Sequence, residues 1–577
     1  MELAEYTINN QKDYILEELY KRKPDVLCFS CYIWNIDYVT DIAREYKKLC
    51  PSVPIWVGGP EVSYEVEAFL RENPYIDGVM IGEGEDTFRE LCGYYAHKRK
   101  LSDIAGIAFR KNSTGNSTSN RTSVNNAGCK AGEIVFTSPR PIKNMSEIPF
   151  CYDTLDDFSN RIIYYESSRG CPFSCSYCLS SVDKTLRFRN TEIVKRELKF
   201  FIDQKVPQIK FVDRTFNCNH AHAMELWRFI KANDNGVTNF HFEISADLLN
   251  QEELELISDM RPGLIQLEIG VQSTNEVTIK EIHRTMKLER LKEVVKLIQS
   301  GNNIHEHLDL IAGLPYEDYD SFGRSFDEIY ELKPNQLQLG FLKVLKGSYM
   351  FEHAAEYGIV YHDKPPYEVM STKWLSFDDV IKIKRVEEML EVYYNSGQFE
   401  ITMKLMECIF DSAFEFFQEL GDFYEANGYF GMSHSRIRRC EILLEFLALY
   451  LHGCDSDDMA SVGLSGNAGD RDNTDFDENA QIYSMIQESL IFDLYYRENC
   501  KSRPRWATDI GKFKHMTHAY CKNGKLSHVE PFHYIFPDKH TRKLDELPKY
   551  HKEPVWALFH YDMRDPLDHQ ALVEYIE

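Results

Sequence analysis

Cys171, Cys175 and Cys178 fall within the stretch SSRGCPFSCSYCLSS at a C-x3-C-x2-C spacing. Three soft thiolates are ligands for zinc or for iron–sulfur chemistry. Structural zinc is usually closed by four Cys or His ligands, and disulfides need pairs, so an odd set asks for another account. Three cysteines on a cubane cluster leave one iron open to a further ligand. A zinc ion completed by a distant His is the competing reading. Cys28 and Cys31 also form a C-x2-C, but DVLCFSCYIW reads as a buried strand, where residues three apart point to opposite faces. The triplets at Asn112, Asn116 and Asn120 match glycosylation acceptors, which a cytosolic chain does not use.

The elements around the triad indicate what positions it. A strand is expected at 161–166, and a short loop with Gly170 and Pro172 then carries Cys171. From about 158 to 346, strand and helix alternate six times, with further strands expected at 208–213, 239–245, 264–270, 304–311 and 335–342. Polar residues recur on these strands with period two: Glu243 with Ser245, Glu268 with Gln272, His305 with His307 and Asp309, Gln336 with Gln338. A parallel strand buried on both sides is usually apolar throughout. The pattern therefore predicts an open α/β barrel with a polar lumen, the alternative being an exposed sheet face. His305 and His307 are more simply lumen-filling groups than catalysts.

Upstream, DVLCFSCY, VPIWVGG and IDGVMIGEGE read as parallel strands, each followed by a helix, at 36–49, 61–72 and 85–99. Gly58, Gly59, Gly82 and Gly84 just past the strand ends allow close approach of a ligand. A hairpin with a low-complexity tip at 111–132 and the linker RPIKNMSEIPF follow. Beyond Pro365 the pattern is helical: a capping box at Ser376 and Asp379, then helices near 399–426, 433–452 and 481–499, with an acidic insertion at 454–478. The tail segment PVWALFHYDM is a candidate strand. The expected class is α/β: a Rossmann-like domain at 1–145, a partial (β/α)6 barrel at 158–346 and a mainly helical domain at 366–577.

The 577 residues include 66 basic and 91 acidic ones, a formal charge of −25, which disfavours a general nucleic-acid binder. The longest apolar run, ILLEFLALYLHG, contains Glu445 and falls short of the roughly 20 residues of a membrane span. The first residues lack a secretory layout, and fifteen cysteines without regular spacing read as reduced thiols of a cytoplasmic protein.

The cysteine spacing, with Tyr177 in the aromatic slot beside the third cysteine, resembles the signature of radical S-adenosylmethionine (SAM) enzymes. LEIGVQSTNEVTIKEIHR and HLDLIAGLP are similar to the fifth- and sixth-strand motifs of the oxygen-independent coproporphyrinogen oxidase and Elongator-type branch. The resemblance implies a 4Fe–4S cluster on Cys171, Cys175 and Cys178, and SAM contacts at Tyr165, Asp213, Glu243, Gln272, Arg284 and Asp309. It further implies that Arg284 neutralises the SAM carboxylate and that Glu243 or Asp213 binds its amino group or ribose. Asp213–Arg214 stands where the branch has a glycine pair. DVLCFSCYIWN and IWVGGPEVS resemble segments of cobalamin-binding domains, which implies that Ser30, Gly58 and Gly59 face the nucleotide tail of cobalamin. The opening MELAEYTIN resembles the second strand of such domains, which predicts weakened cobalamin binding. The whole chain resembles an uncharacterised bacterial family of cobalamin-type radical SAM proteins with a helical C-terminal domain. The activity so implied is formation of a 5′-deoxyadenosyl radical from SAM, with cobalamin as methyl carrier in a methyltransferase. A radical rearrangement or bond formation without methyl transfer is the second reading, and an iron–sulfur electron-transfer or scaffold module the third. The expected partners are a small-molecule or peptide substrate and a low-potential donor such as flavodoxin or ferredoxin, with no membrane.

Overall fold

The structure is a computed structural model that describes all residues except 112–132, 153, 156–157, 159–160, 183, 453–473, 522–525, 538–540, 542–543, 545 and 577. Most of the expected hairpin tip and acidic insertion therefore lies outside the described residues. The N-terminal part is a five-stranded sheet in the order β1-β2-β3-β4-β5: Leu27–Ser30, Ile55–Gly58, Gly78–Met80, Ile107–Arg110 and Ile134–Phe136. The first three strands are parallel and the last two antiparallel, as expected for a Rossmann-like half closed by a hairpin. Helices Ile36–Leu49, Val66–Glu72 and Gly84–Tyr95 follow β1, β2 and β3. The first of them turns Ile36, Val39, Ile42, Ala43 and Tyr46 toward a core that includes Leu27, Ile55 and Val57, at the helical spacing that buries one stripe.

The central sheet contains six parallel strands. These are β6 (Ile163–Tyr165), β9 (Gln208–Phe211), β10 (Asn239–Ile244), β11 (Ile265–Gln272), β12 (His305–Ala312) and β13 (Gln336–Phe341). They lie in that spatial order, each beside the next. Between β6 and β9 a two-residue hairpin, β7 (Ser168–Arg169) with β8 (Arg187–Phe188), brackets the cysteine loop. On β11 the alternation is complete: Ile265, Leu267, Ile269 and Val271 are fully buried under the helices, while Gln266, Glu268, Gly270 and Gln272 face the lumen. Period-two polarity thus marks a lumen and not an open sheet face.

The C-terminal part shares one apolar core with the barrel, whereas the N-terminal sheet has cores of its own. Asn395 covers the free edge of β13, accepting from Leu337 N at 3.0 Å and donating to Leu337 O at 2.8 Å, as a neighbouring strand would. The capping box at Ser376 and Asp379 forms, opening helix Phe377–Leu390. The single helix expected at 399–426 is two, Glu400–Ile409 and Ala413–Ala426. A tertiary contact breaks it: Asp327 accepts from Ser412 Oγ at 2.7 Å and from Phe414 N at 2.9 Å, while Ser412 caps the second helix. Helices Arg436–His452 and Thr474–Arg497 follow. The tail holds more strand than expected, a three-stranded antiparallel sheet of Ser527–Tyr534, Tyr550–Arg564 and Ala571–Ile576. No helix among the described residues is long and apolar enough to cross a membrane.

Candidate functional site

The cysteine loop leaves the hairpin through Gly170, whose φ of +95° and nearness to the Thr185 carbonyl exclude a side chain. Cys175 is buried, and Cys171 and Cys178 are half-buried. Burial pushes the Cys171 thiol up, against the pull of nearby hydrogen-bond donors. Cys171 Sγ lies 4.0 Å from Thr215 Oγ1, and Cys175 Sγ lies 3.9 Å from Arg284 Nη1. The same Arg284 nitrogen donates to Tyr177 OH at 3.3 Å, and Arg284 Nη2 donates to the Gly270 carbonyl. Arg284 is thereby held between β11 and the cysteines.

A cavity of about 140 Å3 opens at the C-terminal ends of the barrel strands. Cys175 and Arg284 line it, with Glu243, Gln272 and Asp309 from three neighbouring strands. Burial, then the charge of Glu268, raises the Glu243 carboxyl to about 7. Burial also raises Asp309, whose Oδ1 lies 3.1 Å from His307 Nε2. Burial opposes ionisation of Glu268 too, but His241 at 2.9 Å and Lys210 at 3.0 Å hold it at about 2. His305, in the same lumen, is depressed to about 4 by burial and by its two histidine neighbours.

Two expected contacts lie elsewhere. Tyr165 packs against Phe201 and Phe211 on the helix side of β6, and its OH donates to Glu197 Oε2 at 2.6 Å. The Asp213 carboxylate is fully buried behind the cysteine loop and accepts from Ser167 N at 3.0 Å, Ser167 Oγ at 2.7 Å and Ser168 Oγ. The next residue, Arg214, lines the cavity instead. Tyr165 pairs with Phe211 and Tyr164 with the lumen-facing Lys210, so the phase of the strand turns Tyr165 away from the lumen. Asp213 lies past the end of β9, where its bonds to Ser167 and Ser168 hold it away from the cavity.

On the other side of the loop, a second cavity of about 1180 Å3 lies between the N-terminal sheet and the cysteine loop. Ser30, Gly58 and Gly59 line it, together with Tyr32, Trp34 and, from the cysteine loop, Leu179 and Ser180. Gly59 has φ +118°, and a Cβ there would meet the Cys31 carbonyl oxygen at 2.4 Å, so the strand end is tight enough for glycine alone. Tyr32 and Trp34 stack at 4.5 Å and 7° and remain substantially exposed. Sequence reasoning passed over this pair; two aromatics directly after a strand end were the available signal.

Comparison with known proteins agrees with this layout. Family models match residues 2–92 as a B12 binding domain, 165–329 as the radical SAM superfamily, and 355–570 as a domain described as a protein of unknown function. An uncharacterized methyltransferase of Pyrococcus horikoshii is 24% identical over 374 residues, 63% of this chain and 75% of that one. The cobalamin-dependent radical SAM methyltransferase TokK of Streptomyces tokunonensis is 28% identical over 333 residues, 54% of this chain but only 45% of its own. The cobalamin-dependent radical enzyme OxsB, solved with aqua-cobalamin and SAM, superposes with a TM-score of 0.52 at 15% identity, over 89% of this chain and 78% of that one. The chain thus carries a segment matching a B12 binding domain, followed by one matching the radical SAM superfamily.

Proposed function

We propose that the protein is a cobalamin-dependent radical SAM methyltransferase. The observation that carries this reading is that one loop faces two cavities, with Cys175 in the wall of the barrel cavity and Leu179–Ser180 in the wall of the interdomain cavity. A group on the cysteines would therefore lie between a SAM site and a cobalamin site.

The residues present fit these groups. Three thiols with no fourth cysteine in the loop suit a 4Fe–4S cluster with one open iron. The barrel cavity presents both signs of charge, as the zwitterionic end of SAM requires. Arg284 and Arg214 are matched to its carboxylate, and Glu243 and Asp309 to its ammonium. The larger cavity offers glycine backbone and aromatic faces, suited to a broad ring system and a nucleotide tail. When bound, the cluster supplies an electron from a low-potential donor of the flavodoxin or ferredoxin class, which cleaves SAM to a carbon radical, and cobalamin supplies a methyl group. The chain's own residues bind and orient: Arg284 fixes Cys175 against the cavity, and Gln272 and Asp309 close its far wall.

The test is anaerobic reduction of the reconstituted protein with SAM, reading 5′-deoxyadenosine and S-adenosylhomocysteine. Both products are expected once a substrate is supplied. 5′-Deoxyadenosine with a substrate product of unchanged mass would replace methyl transfer by rearrangement, and absence of both under turnover would overturn the enzyme reading.

A further inference from the structure

The hairpin that brackets the cysteines carries two arginines directly opposite one another, Arg169 on β7 and Arg187 on β8. Like charges facing across strands repel, so this pair opposes closure of its own hairpin. A carboxylate of the other domain offsets the repulsion. Arg187 Nη2 donates to Glu83 Oε1 at 2.6 Å, and Arg169 Nη1 lies 3.5 Å from the same oxygen. Arg169 also donates to Glu85 Oε1 at 2.8 Å and forks onto Glu166 at 2.9 and 2.7 Å. The second Glu83 oxygen accepts from Lys143 N at 3.3 Å, and Arg187 Nη1 donates to the Lys143 carbonyl at 3.0 Å, so the interdomain linker joins the same net. The Glu83 and Arg187 side chains are 21% and 13% exposed, so salt screens them less than a surface pair. Glu83 is also the residue that opens helix Gly84–Tyr95, and with Gly82 and Gly84 it forms part of the interdomain cavity wall.

We propose that Glu83 is a positioning residue that couples the interdomain cavity to the cysteine loop. A ligand seated against Gly82, Glu83 and Gly84 fixes the carboxylate between the two arginines, which closes the hairpin and orders the three thiols. The inference rests on the reading that this cavity takes cobalamin, and it adds a direction: filling one site prepares the next. Coupling of this kind is reciprocal, so an ordered loop also strengthens binding in the cavity.

The experiment is hydrogen exchange of residues 170–182 in the full chain, anaerobically reconstituted, with and without hydroxocobalamin. In the wild type, hydroxocobalamin should slow exchange of this loop roughly tenfold. Glu83→Gln should bind hydroxocobalamin more weakly by absorbance titration, as the reciprocal coupling requires, and at saturating hydroxocobalamin the loop should no longer respond. A purely structural role would speed exchange equally in both states and leave the response intact, which would overturn the proposal. Arg187→Gln is the independent variant: it removes one of the two opposed charges without setting a second carboxylate beside Glu83, so the loop should exchange slowly whether or not hydroxocobalamin is present. A wild-type response in that variant would equally overturn the coupling. Wild-type protein that binds hydroxocobalamin without any change in the loop refutes the coupling alone, whereas wild-type protein that binds none refutes the functional reading beneath it.

Discussion

The two cavities on either side of the cysteine loop are built by different means. The barrel cavity is small and is walled by charged and polar side chains projected from successive strands, Glu243 from β10, Glu268 and Gln272 from β11 and Asp309 from β12. The interdomain cavity is about eight times larger by the ratio of roughly 1180 to 140 Å3, and its wall includes the backbone of Gly58, Gly59, Gly82 and Gly84 and the aromatic faces of Tyr32 and Trp34. In the first, recognition depends on which face of a strand a residue occupies. In the second it depends on where a side chain is absent. Substitutions should therefore act through charge on one side of the loop and through steric exclusion on the other.

The largest expected effect falls on the loop common to both. Replacing Cys171, Cys175 or Cys178 with Ala should remove most cluster iron and abolish SAM cleavage, while Cys28→Ala leaves iron unchanged, measured as iron per chain after anaerobic reconstitution. Stoichiometric zinc bound in place of iron would break the shared-loop picture. Next in size is Arg284→Ala, which removes a charge-assisted partner and should weaken SAM binding by about 1.5–3 kcal/mol. Calorimetric titration with SAM measures it, and iron content and hydroxocobalamin uptake should stay near wild type. Equal losses at both cavities would show that they are not separately built.

Gly59→Ala probes the other side. Its Cβ would meet backbone at 2.4 Å in a left-handed conformation, whereas at Gly82, with φ +75°, a Cβ meets nothing within 4 Å. The first change should cost about 1–3 kcal/mol in denaturant unfolding and impair hydroxocobalamin uptake. The second carries only the conformational cost of about 1–2 kcal/mol. Similar uptake in the two variants would mean that the strand end does not shape the cavity.

The same contrast explains what the sequence made legible. The barrel strands were readable because most of them alternate apolar and polar residues with period two, as Ile265 to Gln272 shows. Gln272, Glu243, Arg284 and Asp309 were found through motif spacing, and the structure gathers them around one cavity. Tyr165 and Asp213 were displaced because a motif position fixes the residue but not the side to which it turns. The ring of Tyr165 completes a buried network with Glu197 and Arg189, and Asp213 satisfies the serines beneath the loop. The central tail strand, Tyr550–Arg564, contains the expected PVWALFHYDM, but its neighbours Ser527–Tyr534 and Ala571–Ile576 escaped notice, the first because Pro531 within it argues against a strand. The break at Ser412 arises from Asp327, 85 residues away in sequence, a contact that no local pattern announces.

The smallest expected effect is a difference in pH dependence between the cavities. Burial and the neighbouring Glu268 raise the Glu243 carboxyl from 4.5 to about 7, so the folded protein holds a proton there that the unfolded chain has released. This group's contribution to stability is present below about 4.5 and is lost as pH rises through about 7, amounting to roughly 3 kcal/mol at about 1.36 kcal/mol per unit. Glu243→Gln should flatten that part of the stability profile. An ammonium docking beside Glu243 favours its ionised form, so SAM binding should release a proton and tighten as pH rises from about 5.5 to 7.5. The interdomain cavity should behave otherwise. Burial opposes ionisation of Glu83, but Arg187 and Arg169 hold it below its ordinary value, so it stays charged throughout this range. Hydroxocobalamin uptake should accordingly change little with pH. Calorimetry of each ligand in two buffers of different ionisation enthalpy reads the protons directly. Proton release on SAM binding that persists in Glu243→Gln would move the titrating group elsewhere in the lumen, where Asp309 is also raised by burial.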